Sequence, residues 1–109
     1  MAGLSFPLRA AQTLDSIREQ LEALSACDDL DLEIVDAVLR VEFEDGSQII
    51  VNRQEPVQQL WVASPLGPAH FAYDTTRELW VDTKTGETLM GVLSKAFTLK
   101  LGEPVPLKD

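Results

Sequence analysis

Residues Asp29–Val51 read DLDLEIVDAVLRVEFEDGSQIIV, and the periodicity of this stretch decides the fold. Leu30, Leu32 and Ile34 alternate with Asp29, Asp31 and Glu33. After a short turn at Asp36, Leu39, Val41 and Phe43 alternate with Arg40, Glu42 and Glu44. A period of two places each set on its own side of a pleated strand. Asp45-Gly46 is a strong hairpin signal, and Gln48 to Val51 return as a third strand. Connections this short demand antiparallel pairing, because a parallel pair needs a crossover of about a dozen residues or more.

Downstream, VNRQEPVQQLW (Val51–Trp61) leaves the third strand through a polar patch and crosses Pro56. Gln59 to Ala63 read as a fourth strand, and SPLGP (Ser64–Pro68) as a loop. Residues 69–74 and 78–82 suggest two more short strands around an Asp-Thr-Thr-Arg turn. Upstream, Leu14, Ile17, Leu21 and Leu24 recur at helical spacing, which predicts a first helix over roughly 8–25. Asp15, Glu19 and Glu22 fall on its far side. A second helix follows Gly86 and carries Leu89, Val92, Leu93, Ala96 and Phe97. Gly91 inside it costs about 1 kcal/mol relative to alanine. GEPVPL (Gly102–Leu107) cannot be helical throughout and reads as an extended tail.

The order is helix, about six strands, helix. Two terminal helices can cover only one face of an antiparallel sheet, which gives an α+β, two-layer sandwich. The other sheet face must meet water or a partner. If Leu60 and Val62 lie under the helices, Gln59, Trp61 and Ala63 lie on the uncovered face, with Asn52 and Gln54 nearby. A tryptophan among amide and guanidinium groups resembles a binding hot spot. The competing reading makes Trp61 ordinary core, with the register shifted by one residue. Trp80, in ELWV, is the better core candidate of the two tryptophans.

The chain has 109 residues, enough for one domain. No apolar run approaches the ~20 residues that span a bilayer, so no membrane association is expected. The start lacks the layout of a secretory signal and the full character of an organelle transit peptide. Cys27 is the only cysteine, which points to a reducing compartment. Eighteen acidic residues against nine basic give a net charge of −9. That field excludes nucleic acid as a natural partner and favours cations and basic protein surfaces. Eleven of the acids lie between residues 15 and 45.

DLDLEI, VLRVEFEDGSQIIVNRQEPVQQLWVASP, TLDSIREQLEAL and GETLMGVLSKA together resemble the frataxin family, most closely its bacterial branch. NRQEP-x3-LW is the most specific block, and the match covers nearly the whole chain, residues 1–109, as a single frataxin-like domain. SPLGPAHFAYD leans toward the mitochondrial and rickettsia-like members. The resemblance implies no organic cofactor and a role in iron–sulfur cluster assembly. It implies weak iron binding on an acidic ridge, here Asp15, Glu19, Glu22, Asp28, Asp29, Asp31 and Glu33. It implies docking on a cysteine desulfurase and the iron–sulfur scaffold protein through Asn52, Arg53, Gln54, Trp61 and His70. It also implies a monomer that metal can drive into oligomers, in the bacterial cytoplasm or, with a transit peptide removed, in the mitochondrial matrix. Arg18, Ala23, Ser25 and Cys27 stand where many bacterial members are acidic, so the ridge is thinner.

Carboxylates are hard oxygen donors suited to iron. Neighbours on one strand face stand roughly 6.5–7 Å apart, and helix neighbours about 5–6 Å. Such rows offer one or two carboxylates per ion, so iron binding should be weak, exchangeable and shared with other divalent cations. By default a run of charges is a solvated face, and the same acids could instead grip basic residues of a partner. Two other functions stay open: a regulator of the desulfurase independent of metal, and a ferroxidase that stores iron. Nearby negative charge should raise the pKa of Cys27, which argues against a reactive thiolate.

Overall fold

The computed structural model describes residues 5–109. Helix α1 spans Phe6–Glu22, and the strands are β1 (Asp31–Val35), β2 (Val38–Glu42), β3 (Gln48–Gln54), β4 (Gln59–Ala63), β5 (Ala69–Asp74) and β6 (Leu79–Asp82). Helix α2 spans Leu89–Leu101. The six strands form one antiparallel meander in sequence order.

Ser5 caps α1, its hydroxyl accepting from the Leu8 amide, with Pro7 in the first turn. Ala10, Leu14, Ile17 and Leu21 form the buried stripe. The helix ends earlier than its leucine spacing suggests. Leu24 turns to extended backbone, and Ser25–Cys27 form a 3-10 turn that carries Cys27 into the core. The chain must reverse here to enter the sheet, and β1 therefore starts only at Asp31. Asp29 lies in the preceding turn and forms no ladder row with Asp31 and Glu33.

The β1–β2 hairpin turns on Asp36 and Ala37, both at positive φ, as a two-residue hairpin of type I′ requires. The Asp45-Gly46 turn forms as expected: Gly46 sits at φ 86°, and the Phe43 amide donates to the Ser47 carbonyl. Pairing of β3 with β4 runs as far as Gln54↔Gln59, so β3 is longer than its apolar run. Pro56 is confined to a one-turn 3-10 connection, where its missing N–H costs no ladder bond.

Alternation sorts the sheet into two faces. Leu39, Val41, Ile49, Val51, Leu60, Val62, Phe71 and Trp80 are buried on the helix side. Above them lie Leu14, Ile17 and Leu21 of α1 and Leu89, Leu93, Ala96 and Phe97 of α2. Trp80 is 5% exposed, and its indole donates to the Thr13 hydroxyl of α1 at 2.8 Å. Gly102, at φ 71°, stops α2. The tail then runs extended between the helices, burying Val105 and Leu107. The Leu107 amide donates to Ser94, while Lys108 exchanges two hydrogen bonds with the Gln20 side chain.

Candidate functional site

The uncovered sheet face is built from the residues that alternate with the core. The register places Val35, Val38, Asn52, Trp61 and His70 side by side across β1 to β5. Gln54, Gln59 and Ala72 form the adjoining row. Trp61 is half-buried on the face opposite Leu60 and Val62, so the expected face assignment holds. Its ring stacks on His70, centroids 4.2 Å apart and planes 15° apart. Its Nε1–H donates to Oε1 of Gln59 at 2.8 Å.

Four of the five residues expected around this indole or beside it do share its face: Asn52, Gln54, Trp61 and His70. Arg53 does not. It stands opposite Leu60 and alternates to the helix side, where its guanidinium meets Glu55 at 3.3 Å. The reason is the two-residue period, which cannot place Asn52, Arg53 and Gln54 on one side. Gln59 shares the face of Trp61, as the alternation of β4 gives, although the expected docking residues left it out; the apolar surround of Val35, Val38 and Ile50 was missed. Extending the alternation of each strand to its cross-strand partners locates all of them. Val35 is 53% exposed, a large apolar group left facing solvent at the edge of this patch.

The seven ridge carboxylates are all exposed but are divided between two layers. Asp15, Glu19 and Glu22 lie on α1, whereas Asp31 and Glu33 lie on the open face of β1, the face that carries Trp61. Two already have cationic neighbours: Arg18 reaches Asp15 at 3.4 Å, and Arg40 reaches Glu33 at 3.1 Å. Exposed pairs of this kind contribute little and exchange readily. Glu19, Glu22, Asp28, Asp29 and Asp31 make no ion pair among the described residues. Glu22 and Asp28 line one depression of about 250 Å³ together with Cys27. Asp29 lines another of about 260 Å³ with Glu44, Asp45 and Lys100.

Among the described residues, no three histidine, cysteine, aspartate or glutamate side chains are grouped tightly enough to hold an ion by themselves. The donors therefore fit a hydrated ion held by one or two carboxylates. The register adds a pair that the sequence reading left out of the ridge. Glu42 sits directly across from Asp31 in the ladder, which sets their Cβ atoms about 4.5–5.5 Å apart. Two like charges so placed repel, and a shared cation would relieve them.

Cys27 is 4% exposed, and its thiol pKa is raised. Burial is the main cause, with Asp28 and Glu103 adding to it. The expected direction holds, but desolvation outweighs the neighbouring charge.

A family model described as the frataxin-like domain matches residues 3–103. The chain belongs to the frataxin family. Among curated frataxins it is similar to "Iron-sulfur cluster assembly protein CyaY" of Thioalkalivibrio sulfidiphilus, at 47% identity over 98% of this chain and 100% of the relative. The protein of the same name from Janthinobacterium is 42% identical, covering 100% and 98%. Among solved frataxins, that of Psychromonas ingrahamii superposes with a TM-score of 0.84 at 29% identity, covering 95% of each chain. A trimeric frataxin of the yeast Saccharomyces cerevisiae, solved complexed with ferrous iron, gives 0.73 at 29% identity, covering 94% and 91%. Two helices packed on a six-stranded antiparallel sheet are the fold that this chain shares with them.

Proposed function

We propose that this frataxin is an accessory protein of iron–sulfur cluster assembly. It binds iron weakly as cargo or signal and docks on the cysteine desulfurase–scaffold complex through its open sheet face. The observation that carries this reading is the continuity of that face, which runs from exposed carboxylates on β1 to a stacked, part-exposed tryptophan on β4. An apolar anchor with polar neighbours is the usual make-up of an interface hot spot. The acidic edge complements a basic partner surface and draws cations. The curated names of its relatives and the ferrous complex of the yeast frataxin support the same reading.

Iron is held by one or two carboxylates with water completing the shell, so Co²⁺, Mn²⁺ and Ca²⁺ compete for the same positions. Among the described residues no helix is long and apolar enough to cross a membrane, and the work is assigned to the bacterial cytoplasm. Oligomers form only when metal offsets the acidic charge.

A second reading is favoured by the scattered donors. In it the protein regulates the desulfurase and iron binding is incidental. One experiment separates the two. Glu19, Glu22, Asp28, Asp29, Asp31 and Glu42 are converted to their amides, and both iron titration and desulfurase turnover on the scaffold are measured. Iron delivery requires that the two responses are lost together. Intact control of turnover with abolished iron binding removes the carrier reading and leaves the regulator.

A further inference from the structure

We propose that Gln59 and His70 are positioning residues that fix the Trp61 indole before docking, leaving its outer ring face, and not its N–H, for the partner. The inference rests on the docking role assigned to the open face.

Gln59 lies two residues before Trp61 on β4, so their side chains share the open face. The Gln59 carbonyl oxygen already accepts the indole N–H at 2.8 Å, near-optimal for such a bond. His70 stands directly across the ladder on β5 and lies almost parallel to the ring, 4.2 Å away. An indole offers one N–H donor and two faces. Here the donor and one face are used within the protein. Among the described residues no other aromatic ring or cation lies on the indole, which stays part-exposed, and beyond it the row continues through Asn52, Val38 and Val35.

Two consequences follow from this geometry. The partner group that meets Trp61 is apolar or planar and is laid on the ring, because an acceptor aimed at the indole finds its donor already taken. The ring is also ordered before binding, so the ordering cost of a large side chain is not charged to association. Release of that restraint weakens docking by about 3- to 10-fold, the range expected for ordering one side chain.

The test is a double-mutant cycle on affinity for the desulfurase–scaffold complex. Gln59→Leu is measured alone and on the Trp61→Phe background, where no N–H exists to be held. The positioning role predicts a 3- to 10-fold loss from Gln59→Leu alone and no further loss on the Trp61→Phe background. An equal loss on both backgrounds means that Gln59 touches the partner itself and overturns the proposal. No loss on either background overturns it as well. Trp61→Ala is the control for the reading beneath: if that variant binds normally, the docking role falls and takes the proposal with it. In the free protein, Gln59→Leu should move the Trp61 indole N–H resonance upfield, and Gln59→Glu, which keeps the acceptor, should restore it. An unmoved resonance refutes the clamp without reference to any partner. His70→Phe keeps a flat ring and should hold affinity, whereas His70→Ala should lower it; equal affinities for these two variants remove His70 from the proposal.

Discussion

Replacing each tryptophan by alanine tests the two-faced sheet on which every functional statement depends. Trp80 is 5% exposed. It packs edge-on against Phe6 at 6.0 Å and Tyr73 at 5.3 Å and donates to Thr13. Truncating a buried tryptophan costs about 3–5 kcal/mol through lost transfer energy and the cavity left behind. Trp61 has less to lose. Its stack on His70 contributes about 0.5–1.5 kcal/mol, and the Gln59 amide recovers a hydrogen bond from water. Trp61→Ala should therefore cost about 1–2 kcal/mol, about 1–4 kcal/mol less than Trp80→Ala. In melting temperature the difference is about 4–16 °C, at about 4 °C per kcal/mol for a chain of this size. Urea unfolding followed by far-ultraviolet circular dichroism measures both variants without relying on the indole removed. Equal destabilisation by the two substitutions would refute the placement of Trp61 outside the core, and with it the docking face.

Two more outcomes bear on how the fold is held. Lys100 donates to Asp45 at 2.7 Å, and this bond, with two from Ser47, holds the Asp45 carboxyl well below its usual range. A depressed folded pKa stabilises above the unfolded value of ~3.9, and that contribution disappears as pH falls through the folded one. Urea midpoints of the parent and of Lys100→Met should therefore differ by a constant amount from neutrality down to about pH 5, and the gap should narrow steadily as pH falls below the unfolded value; a gap that is no narrower at pH ~2 than at pH ~5 excludes the ion pair as its source. Gly91→Ala should lower stability despite alanine's better helix propensity, because the added Cβ would meet Oγ1 of Thr88 at 2.9 Å. That hydroxyl caps α2 by accepting from the Gly91 amide, and loss of such a cap costs about 1 kcal/mol. A higher melting temperature for Gly91→Ala removes this explanation for the glycine.

The alternation in DLDLEI and VLRVEF, the Asp45-Gly46 turn and the leucine spacing of α1 were enough to assign helix, six strands, helix, and to leave one sheet face bare. These are local signals: a pleat has period two and a helix 3.6 wherever they occur. The same alternation set Asn52 and Gln54 near Trp61 without Arg53, which joined them only through the family resemblance. It also placed Gln59 on that face, two residues from Trp61. What no local pattern carries is which residues of different strands become neighbours. That His70 lies flat on Trp61 and that Glu42 faces Asp31 depend on ladder register. That the ridge acids are divided between α1 and the open face of β1 depends on how the helices lie over the sheet. Cys27 looked like an acidic-loop residue, yet the reversal between α1 and β1 buries it. Residue types and their periods are written along the chain, but distances between strands arise only once the shared core has brought them together.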